Sequence, residues 1–437
     1  MTTTSHSELE NDAIRICQEM IRIPSVNFGD GKGDEKDVAL YVIAQLKEVG
    51  INAQMYESAP GRCNVVARIK GSDSTRPGLV LHGHLDVVPA HAQDWSVDPF
   101  SGEIRDGMIW GRGAVDMKNM DAMMLATVRD WARSGYVPTR DIVLAFFADE
   151  EAGSIFGSHW MVKNHPEVFA GCTEAVSEVG GFSVTVAGGK RLYLIETAEK
   201  GIHWMKLTAH GRAGHGSVTN NENALTRLSE AVVKIGNHQW PQRYSKTVKA
   251  FFKRVAQETG KEYDEKDLSP LLSELGFAAR MVGATLQNTA NPTMLEAGYK
   301  ANVIPGSASA VIDGRFIPGF EDELNETIRS LIGPDITIET ITTDRALEVP
   351  FEGDLVDAMC NSILLEDPEG VPVPYVMSGG TDNKALAALG IIGYGFSPLK
   401  LAADFDFMSL FHGVDERVPV EGLTFGARVL KDFLEHA

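Results

Sequence analysis

At 437 residues, the chain exceeds the size at which a single hydrophobic core stops growing, so two domains are expected. With 43% hydrophobic and 23% charged residues, its composition is that of a globular protein and excludes a disordered or fibrous chain. Lys+Arg total 40 against 60 Asp+Glu, a formal net charge of -20; so acidic a chain is repelled by nucleic acid and anionic membranes, and neither is expected as a partner.

The opening segment MTTTSHSELENDAIRICQEM has no basic-then-apolar signal pattern, and no apolar run approaches membrane-spanning length. Cys17, Cys63, Cys172 and Cys360 lie far apart without a CxxC pair, which argues against a disulfide framework or a Cys-based zinc site. A soluble cytoplasmic protein is expected.

In chain order, an amphipathic helix is predicted from about Glu8 to Ile23, stopped by Pro24, and a second from about Asp37 to Gly50. Apolar runs at Gly78–Leu81 and Ile142–Ala148 read as strands buried on both faces. Between them Met117, Met120, Met124, Val128 and Trp131 repeat at helical spacing and end near Gly135. This alternation predicts a layered α/β domain with a largely parallel sheet. From about Lys200 the pattern changes. A strand at Gly201–His210, a helical stripe from Ala224 to Ile235, strands at Thr293–Tyr299 and Ser307–Arg315, a helix around Leu324–Leu331 and a strand at Asp335–Ile341 give the split βαβ order of a ferredoxin-like unit. The expected division is a first domain of residues 1–198 and 345–437, interrupted by a second at 199–344.

Three segments carry chemistry. LVLHGHLDVVP places His82, His84 and Asp86 at a strand end, where ligands bind in open α/β sheets. A His two residues before an Asp lets the carboxylate fix the imidazole tautomer, although the same pair also fits a plain turn. In GRGAVDMKN, Asp116 is either the N-cap of the methionine-rich helix or a carboxylate able to bridge two cations. In IVLAFFADEEAG, Asp149, Glu150 and Glu151 end a buried strand, where like charges repel unless cations compensate. One of these carboxylates can ligate metal while another takes a proton. Glu178 in SEVGG and His412 in LFHGVDERVP are each ordinary alone. Together, histidines and several carboxylates at strand ends give mixed N/O ligation. That suits zinc or another borderline divalent ion, cobalt and manganese included, rather than calcium. Two such ions about 3.5–4 Å apart would clamp a hydroxide and polarise a carbonyl, and hydrolysis follows.

With these motifs the chain resembles the M20 family of metallopeptidases and amidohydrolases from about residue 10 to its C-terminus. The resemblance implies a zinc-peptidase-like catalytic domain, a mixed and largely parallel sheet between helices, with an inserted α+β ferredoxin-like domain serving as lid and dimerisation surface. It implies two divalent metal ions, most simply zinc. His84 and Glu178 would bind one and Glu151 and His412 the other, with Asp116 bridging and Asp86 orienting His84. Glu150 is implied as general base, activating a metal-bridging water for attack on an amide carbonyl. His215, in AHGRAGHGS, is similar to a histidine that stabilises the oxyanion, often from a partner subunit. Asn302 in NVIPG, Arg315 in DGRFIPG, and Gly380 and Thr381 in SGGTD are similar to substrate-binding residues.

Where many relatives carry a Gly-Gly pair after the bridging aspartate, this chain has Asn119 and Met120. Residues 237–285, with Trp240, Phe251 and Phe252, align to no motif. His82, His91, His159, His203 and His210 are read as structural. The expected function is hydrolysis of short peptides by a dipeptidase or carboxypeptidase. The alternative is an N-acyl-amino-acid amidohydrolase, a deacetylase or desuccinylase. A non-catalytic metal-binding scaffold is disfavoured, because the full ligand set and Glu150 are present. The expected partners are the small substrate and a second copy of the chain.

Overall fold

The computed structural model describes residues 6–29 and 31–437; the first five residues of the N-terminal reading lie outside them. The first helix, Glu8–Ile21, is fixed by a capping box: Ser7 Oγ accepts from Glu10 N, and the Glu10 carboxylate accepts from Ser7 N. The methionine-rich helix runs Lys118–Ser134 and ends at Gly135, whose φ of 73° suits a residue without a Cβ.

The main sheet has ten strands. Its centre is Gly78–His84, parallel to Ile142–Phe147 on one side and to Cys172–Ser177 on the other. All residues of Gly78–His84 and Ile142–Phe147 are buried, which explains why both read as unbroken apolar runs. Alternate residues serve opposite layers. Leu79 and Leu81 join the core under helices Glu8–Ile21 and Lys118–Ser134, whereas Val80 packs with Phe147, Met161 and Leu386 on the other face. Antiparallel strands such as Arg62–Ile69 and Phe182–Thr185 complete a mixed α/β sheet.

A second sheet is wholly antiparallel, in the order Thr289–Ala297, Ser307–Phe316, Gly201–His210, Ile336–Asp344. Two helices, Ala224–Gly236 and Glu321–Ile332, cover it around a separate core that includes Leu207, Leu228, Ile312 and Ile328. This is the expected ferredoxin-like arrangement. The stretch 237–285 is not irregular. It contains helix Lys246–Thr259 and two shorter helices, and Val248, Phe251, Phe252, Val255 and Leu271 pack into the core of the main sheet rather than that of the second. No helix among the described residues is long and apolar enough to cross a membrane.

Candidate metal centre

Neighbouring parallel strands deliver the donors to one sheet edge. Strand Gly78–His84 ends in His84. Strand Ile142–Phe147 leads into a 3-10 turn, Glu150–Ala152, and strand Cys172–Ser177 stops just before Glu178. Asp116 comes from the loop before helix Lys118–Ser134. Met117, not Asp116, holds that helix's N-cap position and makes no side-chain capping bond, so the capping reading of Asp116 is corrected. Its carboxylate turns to two histidines instead.

His84 Nε2 lies 3.0 Å from Asp116 Oδ1, 3.7 Å from Glu178 Oε2 and 4.0 Å from Glu150 Oε2. His412 Nε2 lies 3.2 Å from Asp116 Oδ2 and 2.9 Å from Glu151 Oε2. One carboxylate thus presents an oxygen to each histidine. Two three-residue groups result, His84–Asp116–Glu178 and Asp116–Glu151–His412, each with donor atoms within 4.8 Å of one another.

The electrostatics follow from four carboxylates crowding two imidazoles. Burial works against a charged His84, but Glu178, then Asp116 and Asp86, hold it well above the ordinary histidine range. Hydrogen bonds to Asp116 and Glu151 push His412 up to about 10. Burial, with the charge of Asp116 added, raises Glu178 to about 8 and Glu151 to about 7. Glu150 is raised well above the carboxylate range by burial, then by Glu178 and Glu151. Asp116 alone stays low, because its bonds to His412 and His84 outweigh its burial. Glu151 Oε1 is buried without a hydrogen-bond partner. An excess of N/O donors, held together only by taking up protons, fits two divalent cations.

A buried framework holds the donors. Asp86 accepts hydrogen bonds from Glu150 N and Glu151 N, both at 3.1 Å, and from Asn27 Nδ2 at 2.9 Å. Asp86 faces the His84 imidazole through both its backbone and its carboxylate: His84 Nδ1 lies 2.9 Å from the Asp86 carbonyl oxygen and 3.6 Å from Oδ1. Asp149 turns away from the centre. Its Oδ1 accepts from Asn27 Nδ2 and Arg62 Nη2, its Oδ2 accepts from Phe156 N, and Arg62 donates through Nε and Nη2 to Glu35. Asn27, Glu35 and Arg62 were not singled out from the sequence; the available signal was a charged residue opening the buried strand RCNVVARI. Asp149, Val179 and His412 have φ of 67°, 51° and 57°, a region that costs roughly 1–2 kcal/mol per residue and persists where surroundings impose it.

The expected substrate residues lie elsewhere. His215 sits on an exposed two-residue strand paired with Val303–Ile304, and its Nδ1 lies 2.8 Å from Ser217 Oγ. Asn302 immediately precedes that partner strand, its carbonyl accepting from Gly216 N at 2.9 Å. Arg315 donates to Asp313 on its own strand, at 2.7 and 3.2 Å, and lies over the Trp204 ring. Among the described residues, no hydrogen bond or ion pair joins these three to the donor cluster. Thr381 is a correction: its N and Oγ1 both donate to buried Glu199, at 2.9 and 2.6 Å, so neither is free for a substrate carboxylate. Beside Gly380, Lys384 Nζ donates to the carbonyls of Lys200 and Arg345, where the chain passes between the two sheets. His82 is buried against Asn383 and depressed by burial to about 4, so it remains neutral.

A mixed α/β sheet with two groups of metal-donor side chains at its strand ends is the framework of a metallohydrolase. The chain belongs to peptidase family M20/M25/M40, which matches residues 80–436. It is 29% identical over 393 residues to the probable carboxypeptidase S-like 2 of Dictyostelium discoideum, covering 85% of this chain and 73% of that one. It is 26% identical over 434 residues to the N-fatty-acyl-amino acid synthase/hydrolase PM20D1 of Xenopus tropicalis, covering 92% and 81%. The M20 family metallo-carboxypeptidase Sso-CP2 of Sulfolobus solfataricus shares the fold, with a TM-score of 0.75 at 18% identity over 97% of this chain and 99% of that one. The protein is a hydrolase of amide bonds.

Proposed function

We propose that the protein is a dinuclear zinc hydrolase that cleaves the amide bond of short peptides, as a dipeptidase or carboxypeptidase. The observation that carries this reading is the division of the Asp116 carboxylate between His84 and His412. His84 and Glu178 would hold one cation, Glu151 and His412 the other, and Asp116 both. When bound, such a pair supplies Lewis acidity to the amide carbonyl and brings the pKa of a water near neutrality.

Glu150 acts as general base. Its carboxyl neighbours the donors without being needed for either group of three, and burial raises its proton affinity well above the ordinary carboxylate range, the direction a general base needs. It takes the proton of the attacking water and returns it to the leaving nitrogen. Asp86 sets the turn that carries Glu150, through the backbone bonds described above.

The division into a catalytic domain, 1–198 and 345–437, and an inserted lid, 199–344, is supported by the separate core of the second sheet. In this reading helix Lys246–Thr259 anchors the insert to the catalytic sheet. Gly380, Asn302 and Arg315 receive the substrate carboxylate, Arg315 after exchanging Asp313 for it. A dimer through the insert is supported by its open edge strand, Thr289–Ala297, where Met294 and Leu295 are exposed. His215 then stabilises the oxyanion. The four unpaired cysteines support a reducing compartment such as the cytoplasm.

The second reading, an N-acyl-amino-acid amidohydrolase, is favoured by the similarity to the fatty-acyl-amino acid hydrolase. Metal-stripped protein, with and without zinc or cobalt, is assayed on dipeptides and matching N-acetyl, N-succinyl and long-chain N-acyl amino acids. Metal-dependent amino-acid release from dipeptides is expected. Release only from acylated substrates would select the second reading, and failure to bind metal would overturn both.

A further inference from the structure

Glu416 lies four residues beyond His412 and is fully buried. Its carboxylate has four donors, three of them backbone groups of the loop that ends in Asp116. Oε1 accepts from Val115 N at 2.7 Å and Asp116 N at 3.1 Å. Oε2 accepts from Gly113 N at 3.1 Å and Arg112 Nη1 at 2.6 Å. None of the three backbone N–H groups has another partner among the described residues. The Glu416 carbonyl accepts from Gly111 N at 2.9 Å, and Arg112 Nη2 reaches the His412 carbonyl at 3.4 Å.

We propose that Glu416 is a positioning residue, a buried carboxylate around which the Gly111–Asp116 loop wraps, setting Asp116 against His412 so that both face the second cation. The proposal rests on reading Asp116 and His412 as ligands. Among the described residues, Glu416 makes no hydrogen bond or ion pair with either of their side chains, and it reaches the donors through the Asp116 backbone. The loop has few bonds of its own: Ala114 N donates to Gly111 O and Lys118 N to Gly113 O. With no carboxylate in its centre, three N–H groups would be left without acceptors, and the cost of an unmade buried bond would turn the loop outward. Asp116 would move with it, while His412 would stay on the other arm of the turn. His84 and Glu178 come from strands that make no hydrogen bond to Glu416, but Asp116 belongs to both groups of three, so both cations should be weakened.

Glu416→Gln keeps the shape but replaces one acceptor oxygen with an NH2 group, which opposes the N–H donors it faces. Chelator-stripped protein is titrated with cobalt, followed by visible absorption and calorimetry, beside a His412→Ala reference. The expected result is a wild type with two sites and a Glu416→Gln chain in which both are weakened, by about 10–100-fold, the usual cost of losing a partner behind a ligand, whereas His412→Ala weakens the second alone. The melting of both metal-free proteins separates a local change from general loss of fold. If Glu416→Gln does not fold, Arg112→Gln is titrated in its place; it keeps the three backbone bonds but frees Glu416 and the His412 carbonyl, and the same weakening is expected at smaller size. Two sites of wild-type affinity in the folded variant would overturn the proposal. A wild type that binds fewer than two cations would instead overturn the dinuclear reading on which it rests.

Discussion

His84 and Asp86 meet through both backbone and carboxylate: the imidazole Nδ1 lies 2.9 Å from the Asp86 carbonyl oxygen and 3.6 Å from Oδ1. The carboxylate also accepts the amide N–H groups of Glu150 and Glu151. One residue thus couples two strand ends, holding a histidine donor with its carbonyl and the turn of the proposed base with its side chain.

Asp86→Ala should cost more than a lost surface contact. It leaves two backbone N–H groups without their acceptor and the Asn27 amide with Asp149 alone, and each unmade buried bond costs about 1–3 kcal/mol. Urea unfolding of metal-free protein should show a loss of at least about 2 kcal/mol, with Asp86→Asn between the wild type and Ala because it keeps one acceptor oxygen. An Ala variant as stable as the wild type would show that the Glu150–Glu151 turn is held by other bonds.

Metal loading should release protons. Without cations, the environment raises Glu178 to about 8, His412 to about 10 and Glu151 to about 7 and holds His84 well above the histidine range, so at neutral pH Glu178 and both histidines carry protons and Glu151 is half protonated, and bound cations must displace them. Apparent zinc affinity is expected to rise between pH 6 and 8, with roughly three protons released per loaded site pair at pH 7. Calorimetry in buffers of different ionisation heat measures this directly. Heats independent of the buffer would mean the donors are already deprotonated.

Two strands that carry donors were legible because burial on both faces leaves a short, largely apolar run: His84 closes one and Glu150 comes three residues after the other, whereas the strand before Glu178, CTEAVS, is buried only over its last three residues and is a weaker signal. Strand Gly201–His210 and helix Ala224–Gly236 were equally plain, since each has one buried face. Helix Lys246–Thr259 was hidden: its apolar stripe of Val248, Phe251, Phe252 and Val255 lies among lysines and threonines, and its partner strand, Gly370–Met377, is more than a hundred residues away. The same distance hid Glu35 and Arg62, whose roles arise only when the chain brings them to Asp149. Thr381 looked free in SGGTD because nothing local announces Glu199.

Asp12 gives the protein a measurable acid sensitivity far from the site. It accepts from Arg15, Arg129 and Arg133; burial opposes its charge, but these guanidiniums hold it down to about 2 from an ordinary 3.8. On acidification the unfolded chain therefore takes the proton first. The stability it contributes, about 1–2 kcal/mol with Arg15 partly exposed, is complete above the unfolded value and is lost as pH falls from about 4 to 2. Denaturation of the wild type and Asp12→Asn should differ by that amount at pH 6, and the difference should close toward pH 2. A constant gap would place the effect in packing.

His215 poses the question of which chain's active site it serves. It stands on an exposed two-residue strand and, among the described residues, makes no bond to the donors of its own chain, so the proposed oxyanion role requires closure of the insert or a partner. Glu150→Gln should keep its cations, since both donor groups of three are intact, and lose about 10²–10⁴-fold in turnover with the base. His215→Ala should also be impaired, through loss of an oxyanion partner. If the histidine acts across a dimer, mixing the two variants pairs the intact base of one chain with the intact histidine of the other. After full exchange half the dimers are mixed and one of their two sites is complete, so about a quarter of wild-type activity should return. Mixed dimers verified by mass spectrometry but without recovered activity would assign His215 to its own chain or to a structural role.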